Sequence, residues 1–402
     1  MTNRLSPGAG VLRIKRVSAF LAYGRQTIED DDIAAVAEAL KADFLTTGPR
    51  VDAFEDAFAE VVGARHAVAC SNGTAALHLA MMALDVQPGE VVICPSVTFL
   101  ATANCARYVG AEVIFADVDP NTGLMTPETL EAALKQVGAR KLRAVLPVHL
   151  RGDVAQLDVL EALAARAGAV LVEDAPHALG SEATFGNQKE KIGDCRHSAM
   201  ATFSFHPVKT IATGEGGMVT TNDPNLAERL KTFRSHGMVR PEGGEPWWYE
   251  MPEPGYNYRL PDILCALGQS QLKKLPRFAA QRRALADRYD VALADLAPLV
   301  KIATRPDWSS PVLHLLVALI DFDAAGLTRR QVVDGLKAKG VGTQVHYIPV
   351  HTQPYYRGRY GDQSLPGAEA WYQSCLTLPL YPGMSLDDVD HVASALKDVL
   401  KG

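Results

Sequence analysis

The sequence lacks the features that mark metal-binding, membrane and nucleic-acid-binding proteins. Its six cysteines lie far apart and form no C-x-x-C pair, which argues against a zinc site and favours reduced thiols in a cytoplasmic enzyme. The most apolar long window, residues 91–111, contains Pro95, Asn104 and Arg107 and would be a poor membrane span. The net charge of −6 makes DNA and RNA poor candidate partners, because binding to the phosphate backbone of a nucleic acid usually needs a basic surface.

The remaining composition is that of a globular protein with a large core. Hydrophobic residues make up 48% of the chain and charged residues 21%, which excludes intrinsic disorder, a fibrous protein and a small disulfide scaffold. At roughly 100–200 residues per domain, the chain of 402 residues is long enough for two or three domains. Residues 1–21 carry basic residues before an apolar stretch that is too short for a secretory signal. We expect a mobile tail there, with a targeting segment as the alternative.

Short apolar runs alternate with helical patterns between about residues 65 and 235. Runs that are apolar throughout are typical of strands covered on both faces. Their alternation with helices predicts an α/β architecture, with a mostly parallel sheet between two layers of helices. The seven predicted strands are residues 66–70, 91–94, 112–118, 143–150, 169–175, 201–205 and 216–221.

The pattern changes after about residue 270. The elements predicted there are an amphipathic helical segment at 271–296, strands at 315–322 and 341–350, and helices at 328–340 and at the C-terminal end. Together they indicate a smaller α+β domain. We therefore expect a large domain at 22–270 and a small C-terminal domain at 271–402.

Polar residues follow several of the predicted strands, where open parallel sheets bind their ligands. The turn Ser71-Asn72-Gly73-Thr74 leads into a helix, so its free backbone N–H groups predict an anion or phosphate site. An ordinary helix N-cap is the alternative. Asp174 ends a strongly apolar strand, and a buried acid there needs a cationic partner. That partner is either a protonated cofactor ring nitrogen or an arginine, unless Asp174 caps the next helix.

A lysine, Lys209, lies in a glycine-rich turn just after the predicted strand at 201–205. Partial burial favours the amine form of such a lysine, which can then form a Schiff base, although most single lysines are merely solvated. A phosphate cradle, an acid at a strand end and a lysine are together what pyridoxal 5′-phosphate requires. Phe99, which follows the predicted strand at 91–94, is suitably placed to cover the cofactor ring.

With these residues in view, the sequence resembles the sugar aminotransferases of the DegT/DnrJ/EryC1/StrS family from about Ala22 to Leu400. The motifs that carry the resemblance are AYGRQ (22–26), DFLTTGP (43–49), SNGTAALHLA (71–80), FLATAN (99–104), EDAPHALG (173–180), FSFHPVKTIATGEGG (203–217), GYNYRL (255–260) and VHYIPVHTQPYY (345–356). The resemblance implies the fold of type I pyridoxal phosphate transferases, which is like that of aspartate aminotransferase. That fold has a seven-stranded, mostly parallel sheet in its large domain.

The resemblance also implies a role for each site residue. Lys209 matches the catalytic Schiff-base lysine, Asp174 the partner of the pyridine nitrogen, and His177 a residue near the cofactor's phenolic oxygen. Asn257 matches an asparagine that reaches the phosphate of the neighbouring subunit's cofactor, which implies a homodimer with shared sites. The other implied cofactor contacts are Phe99 on the ring and Gly73, Thr74 and Ser204 at the phosphate. The implied substrate contacts are Tyr23, Leu45, Thr46, Thr47, Gly48, Gly73, Ser204, His346 and Tyr347.

The implied activity is transfer of an amino group from L-glutamate to a nucleotide sugar, with pyridoxamine 5′-phosphate as the intermediate cofactor form and 2-oxoglutarate as by-product. Within the family, the runs HPVKTIATGEGG and HYIPVHTQPYY most resemble enzymes that act on UDP-4-keto-6-deoxy-L-AltNAc in pseudaminic acid biosynthesis. The alternatives are another 3- or 4-keto nucleotide sugar (as in perosamine synthesis), a pyridoxamine-dependent sugar dehydratase and a non-catalytic regulator. No metal, nucleic acid or membrane is implied. The chain departs from the usual family pattern at Pro176, at Arg151 and at 314–319.

Overall fold

The structure, a computed structural model, describes residues 20–401. The helices in this range are α1 Asp30–Ala39, α2 Pro49–Val62, α3 Gly73–Ala83, α4 Leu100–Tyr108, α5 Pro127–Lys135, α6 Leu157–Arg166, α7 Pro224–Arg234, α8 Asp262–Leu272, α9 Leu275–Ala292, α10 Arg329–Ala338, α11 Pro354–Tyr360, α12 Pro366–Ser374 and α13 Leu386–Lys401. The strands are β1 His66–Cys70, β2 Val91–Pro95, β3 Glu112–Ala116, β4 Leu142–Val145, β5 Val170–Asp174, β6 Glu182–Phe185, β7 Gln188–Lys191, β8 Met200–Ser204, β9 Gly217–Thr221, β10 Val300–Ile302, β11 Ser309–Ser310, β12 Leu316–Ile320 and β13 Cys375–Leu378.

The seven predicted strands form one sheet in the order β1-β9-β8-β5-β4-β2-β3. Only β9 runs against the others, since it pairs antiparallel with both β1 and β8 while the remaining pairs are parallel. The prediction of a seven-stranded, mostly parallel sheet is confirmed. Because six strands share a direction, their carboxyl ends meet at one edge of the sheet, where the candidate site lies.

Both faces of this sheet are covered, which explains why its strands are apolar throughout. Along β2, Ile93 packs into the core on the side of α2, α5, α6 and α8, while Val92 and Cys94 pack on the opposite side with α3, α4 and α7. All five residues of β2 are buried. All six cysteines are also buried and unpaired.

The C-terminal part contains a small antiparallel sheet in the order β10-β12-β13, covered by α9, α10 and α13. One prediction was wrong in this region. The segment 341–350 is not a strand and makes only isolated bridges, including one between Gln344 and Thr377. The amphipathic segment 271–296 is mostly helical: α8 ends at Leu272, and α9 begins at Leu275, followed by Pro276 at a position where helices accept proline.

The predicted tail, residues 1–21, falls almost wholly before the residues that the structure describes. Residues 1–19 of that tail lie outside the described residues. Leu21 is buried, pairs with Val341 and packs in the C-terminal core, although the prediction placed it in the tail. The division into domains at residue 270 stays a prediction. Within residues 20–401, no helix is both long and apolar enough to cross a membrane.

Candidate active site

A cavity of about 950 Å³ lies at the carboxyl edge of the large sheet. It is bordered by the loops after β1, β2, β5 and β8, and by the segment 344–348 from the C-terminal part. Ten of the residues singled out in the sequence line this one cavity: Tyr23, Gly73, Thr74, Phe99, Asp174, His177, Ser204, Lys209, His346 and Tyr347. Residues up to 324 positions apart in the chain are thus brought to one space (347 − 23 = 324).

Lys209 lies in the turn after β8, and its backbone N–H donates to the carbonyl oxygen of His206 at 2.8 Å. Burial lowers the pKa of the Lys209 amine to about 8, and the nearby carboxylate of Asp174 opposes this effect. The amine has no hydrogen-bond or ion-pair partner among residues 20–401. A largely desolvated amine with a pKa near neutrality is a competent nucleophile and base.

Asp174 is the last residue of β5, and its side chain is buried. The Thr102 hydroxyl donates to its Oδ2 atom, and Thr102 Oγ1 lies 2.7 Å from Thr98 Oγ1. Burial raises the pKa of the Asp174 carboxyl, while the Thr102 hydrogen bond and the charge of Lys209 lower it. Among the described residues no arginine pairs with Asp174, so the structure does not support the arginine alternative. The carboxylate faces the cavity and can receive a cationic ligand group there.

The N-terminus of α3 forms the predicted cradle. Asn72 caps the helix, since its side-chain oxygen accepts the backbone N–H of Ala75 at 2.8 Å. The preceding N–H groups, those of Gly73 and Thr74, have no acceptor within residues 20–401 and point to where an anion can bind. A Cβ atom on Gly73 would lie 2.8 Å from Cβ of Ser204, so only glycine allows this close approach to β8. The N-cap and the anion site therefore coexist.

An aromatic wall closes the other side of the cavity. The rings of His177 and Tyr347 are stacked with centroids 6.2 Å apart, and Phe99 lies 6.2 Å from Tyr347. Phe99 is 58% exposed, which leaves its ring free to cover a ligand. His314, 3% exposed, approaches the His177 ring to 4.5 Å.

Two cavity residues, Thr102 and His314, were missed as site residues in the sequence. The FLATAN motif does hold a signal for Thr102: it lies three residues after Phe99, in the first turn of α4, and both residues line the cavity. His314 had no such signal, because its position depends on the fold of the C-terminal part.

Other predicted residues lie away from this cavity. Thr47 and Gly48 line a separate cavity of about 390 Å³, and the backbone N–H of Gly48 donates to Asp262 at 2.8 Å. Leu45 is exposed, and Thr46 accepts the Thr47 hydroxyl through its carbonyl oxygen. Asn257 is exposed and pairs with Ser235 through a single antiparallel bridge. These residues do not complete the large cavity of their own chain.

Arg151, one of the departures from the family pattern, is fully buried beside the cavity. Its guanidinium forms an ion pair with Asp153 at 2.7 Å and donates to the carbonyl oxygens of Ala303 and Thr304. Its backbone adopts a left-handed conformation (φ 66°), and its N–H donates to Nδ1 of His177 at 3.3 Å. The turn at 149–153 therefore connects the large sheet to the C-terminal part directly behind His177.

Comparison with known proteins gives a consistent result. The sequence profile of the DegT/DnrJ/EryC1/StrS aminotransferase family matches residues 26–397. The spore coat polysaccharide biosynthesis protein SpsC of Bacillus subtilis (strain 168) is 38% identical over 397 residues, which cover 97% of this chain and 99% of SpsC.

Two groups of solved structures have the same fold. PseC of Helicobacter pylori, an aminotransferase involved in the biosynthesis of pseudaminic acid, superposes with a TM-score of 0.87 at 29% identity, over 95% of this chain and 99% of PseC. Spr1654 of Streptococcus pneumoniae, solved in its PLP and PMP forms, superposes with TM-scores of 0.85 and 0.86 at 26% identity, over 95% of this chain and 99% of Spr1654. The expected aminotransferase fold is confirmed. With its profile match, its relatives and a shared fold all in agreement, the chain belongs to the DegT/DnrJ/EryC1/StrS aminotransferase family and is a sugar aminotransferase.

Proposed function

We propose that the protein transfers the amino group of L-glutamate to the C4 ketone of a UDP-4-keto-6-deoxy-N-acetylhexosamine, with UDP-4-keto-6-deoxy-L-AltNAc as its substrate. The observation that carries the proposal is the unpaired Lys209 amine in the same cavity as the buried Asp174 carboxylate. The similarity to PseC supports the pseudaminic acid pathway, and the similarity to SpsC supports a role in polysaccharide synthesis.

The residues present fit pyridoxal 5′-phosphate. The Gly73 and Thr74 N–H groups suit its phosphate, and Asp174 suits a protonated pyridine nitrogen because no arginine neutralises it within the described residues. Phe99 is free to stack on the ring, and the Lys209 amine lies in the same space. The PLP and PMP forms of Spr1654 support dependence on this cofactor.

The bound cofactor would supply a ring that accepts electrons from the carbon atom being deprotonated. Asp174 would hold the proton on the pyridine nitrogen, and Thr102 would hold Asp174 in place through its hydrogen bond. Lys209, with a pKa of about 8, would take a proton from the α-carbon of glutamate and later deliver one at the C4 position of the sugar. A base with a pKa near the working pH performs both transfers efficiently.

A homodimer would complete the site. Asn257 and the segment 45–48 lie outside the large cavity of their own chain, although the family resemblance places them at the cofactor phosphate and the substrate. Their exposure at the surface is consistent with contact to a second copy. We therefore include a homodimer with shared sites, and a cytoplasmic location, in the proposal.

Three alternatives are less well supported. A pyridoxamine-dependent dehydratase would carry histidine in place of the Schiff-base lysine, whereas this chain has Lys209. A non-catalytic regulator would not need a desolvated amine with a pKa of about 8 in the ligand cavity. The third alternative is that the substrate is another nucleotide sugar, such as the substrate of perosamine synthesis. The experiment below distinguishes it from the proposed substrate.

The test is a panel of UDP-, dTDP- and GDP-linked 4-keto sugars incubated with the holoenzyme and L-glutamate. Products are identified by mass spectrometry, and NMR gives the position and configuration of the new amine. We expect amination at C4 of UDP-4-keto-6-deoxy-L-AltNAc, no product with Lys209→Ala, and normal product with the surface control Lys189→Ala. Turnover of only dTDP or GDP sugars would reject the proposed substrate, and turnover by Lys209→Ala would reject the proposed chemistry.

A further inference from the structure

A short chain of hydrogen bonds runs from the turn at 149–153 into the cavity. The backbone N–H of Arg151 points at Nδ1 of His177, with 3.3 Å between the nitrogen atoms. On the other side of the same ring, Nε2 of His177 lies 3.2 Å from the hydroxyl oxygen of Tyr347. Both nitrogens of His177 are thus engaged by protein groups.

This geometry fixes where the proton of His177 resides. A backbone N–H can only donate, so Nδ1 must accept and carries no proton. Burial, together with the charge of Lys209 and the nearby ring of His346, lowers the pKa of His177 well below its ordinary value, so the ring is neutral. The single proton of the neutral ring is therefore on Nε2, which donates it to the oxygen of Tyr347.

The same direction of hydrogen bonding continues through Tyr347. Because its oxygen accepts from His177, its own hydroxyl proton needs another acceptor. Within residues 20–401 no protein group accepts it, and Tyr347 lines the large cavity. Burial and the charge of Asp174 raise the pKa of the Tyr347 hydroxyl, so it keeps this proton at neutral pH.

The turn at 149–153, where these hydrogen bonds begin, is held in place by several contacts. Arg151 has φ 66°, a left-handed conformation that non-glycine residues adopt at a cost, and it is the conformation in which its N–H meets His177. The buried ion pair with Asp153 and the bonds to two carbonyl oxygens hold Arg151 there. The carbonyl oxygen of Arg151 also accepts the backbone N–H of His314 at 2.7 Å. Arg151, whose backbone N–H orients His177, is thus bonded both within its own turn and to the C-terminal part.

We propose that Tyr347 donates a hydrogen bond to an acceptor oxygen of the bound molecules, and that His177, oriented by Arg151, is a positioning residue that directs the Tyr347 proton into the cavity. The proposal rests on the proposed function and assigns the donor role to Tyr347, whereas the resemblance implied only that His177 lies near the cofactor's phenolic oxygen. The acceptor is an oxygen without a proton at neutral pH. It is either the cofactor's phenolate or the sugar's carbonyl oxygen, and the two sources give different results in the experiment below.

The direction of these hydrogen bonds is tested first in the cofactor-free protein, by a measurement that does not depend on enzyme activity. Histidine nitrogen shifts are recorded by NMR at pH 7 on ¹⁵N-labelled protein, and His177 is assigned by comparison with His177→Gln. We expect a neutral ring with the proton on Nε2. A proton on Nδ1, or a doubly protonated ring, would overturn the proposal whether or not the enzyme is a transaminase.

The donor role is tested with Tyr347→Phe, which removes only the hydroxyl. The matched control is Tyr289→Phe, because the Tyr289 hydroxyl donates to the carbonyl oxygen of Pro379 in the C-terminal core, away from the cavity. The affinity for pyridoxal 5′-phosphate is measured by absorbance titration, and KM and kcat are measured for the keto sugar in the holoenzyme.

If the acceptor is the phenolate, Tyr347→Phe weakens cofactor affinity about tenfold and leaves the sugar's KM unchanged, since one hydrogen bond to a charged acceptor is lost. If the acceptor is the sugar, cofactor affinity is unchanged and kcat/KM for the sugar falls by roughly the same factor. A variant equal to Tyr289→Phe in both measurements contradicts the proposal. Failure of the wild-type protein to transaminate would instead contradict the proposed function, and the NMR result would stand.

Discussion

The hydrogen bond between Thr102 and Asp174 allows a quantitative test of the site. Thr102→Val keeps the size of the side chain and removes the hydroxyl that donates to Oδ2 of Asp174. A hydrogen bond to a charged acceptor contributes about 1.5–3 kcal/mol. Asp174 is nearly inaccessible to water, so solvent cannot replace the lost donor. The ionised carboxylate, which is the form that would pair with a protonated pyridine nitrogen under the proposal, therefore loses about that much stabilisation.

The expected result is an affinity for pyridoxal 5′-phosphate that is lower by about 10- to 100-fold near neutral pH. The sign of the pH effect follows from the same bond. Burial already raises the pKa of Asp174 and the Thr102 hydroxyl lowers it, so the variant raises that pKa further. Because only the ionised carboxylate would bind the cationic ring, affinity in the variant should fall at a higher pH on acidification than in the wild type.

The assay is an absorbance titration of cofactor-free protein with pyridoxal 5′-phosphate between pH 5 and pH 9. The matched control is Thr220→Val, because the buried Thr220 hydroxyl donates to the carbonyl oxygen of Gly193 at 2.8 Å, in the sheet rather than in the cavity. Thr220→Val should bind the cofactor as the wild type does. If Thr102→Val had wild-type affinity and an unchanged pH profile, Asp174 would not be the partner of the cofactor ring.

Three further predictions follow from the geometry. Gly73→Ala places a Cβ atom 2.8 Å from Cβ of Ser204, so it should destabilise the fold by about 1–3 kcal/mol in urea unfolding and weaken cofactor binding. Burial holds the pKa of His346 at about 3, below its ordinary 6.5. Since the unfolded chain takes up this proton at a higher pH than the folded protein does, the free energy of unfolding should fall as pH drops from 6.5 towards 3. His346→Gln should make this dependence of the free energy of unfolding on pH weaker. Finally, Lys209→Ala and Asn257→Ala should each be inactive alone. If the sites are shared between subunits, mixing the two variants should restore about a quarter of wild-type activity. No recovery of activity after verified subunit exchange would contradict shared sites.

The large sheet could be predicted from the sequence because its strands are buried on both faces. Continuous apolar runs such as 91–94 carry that information locally, without reference to distant residues. The placement of Lys209, Asp174 and the turn at Gly73 at one edge of the sheet could be predicted for a related reason: each lies at the end of such a run or a few residues beyond it, and parallel strands end at one edge.

The segment 341–350 shows where local information fails. Val341 and Val350 are buried as a strand's residues would be, but they pack against other parts of the chain instead of forming a ladder. Burial alone does not distinguish a strand from a buried loop. His314 and the bond from Arg151 to His177 could not be predicted either, because they depend on how the C-terminal part packs behind the cavity.

The central claim is that Lys209 and Asp174 perform transamination with a bound cofactor. The most direct measurement adds L-glutamate alone to the holoenzyme and follows the absorption spectrum. The account predicts that the yellow band of the bound pyridoxal form is replaced by that of the pyridoxamine form, with one equivalent of 2-oxoglutarate released per site, and that Lys209→Ala shows neither change. An unchanged spectrum in a fully loaded wild-type protein, or the same conversion in Lys209→Ala, would contradict it.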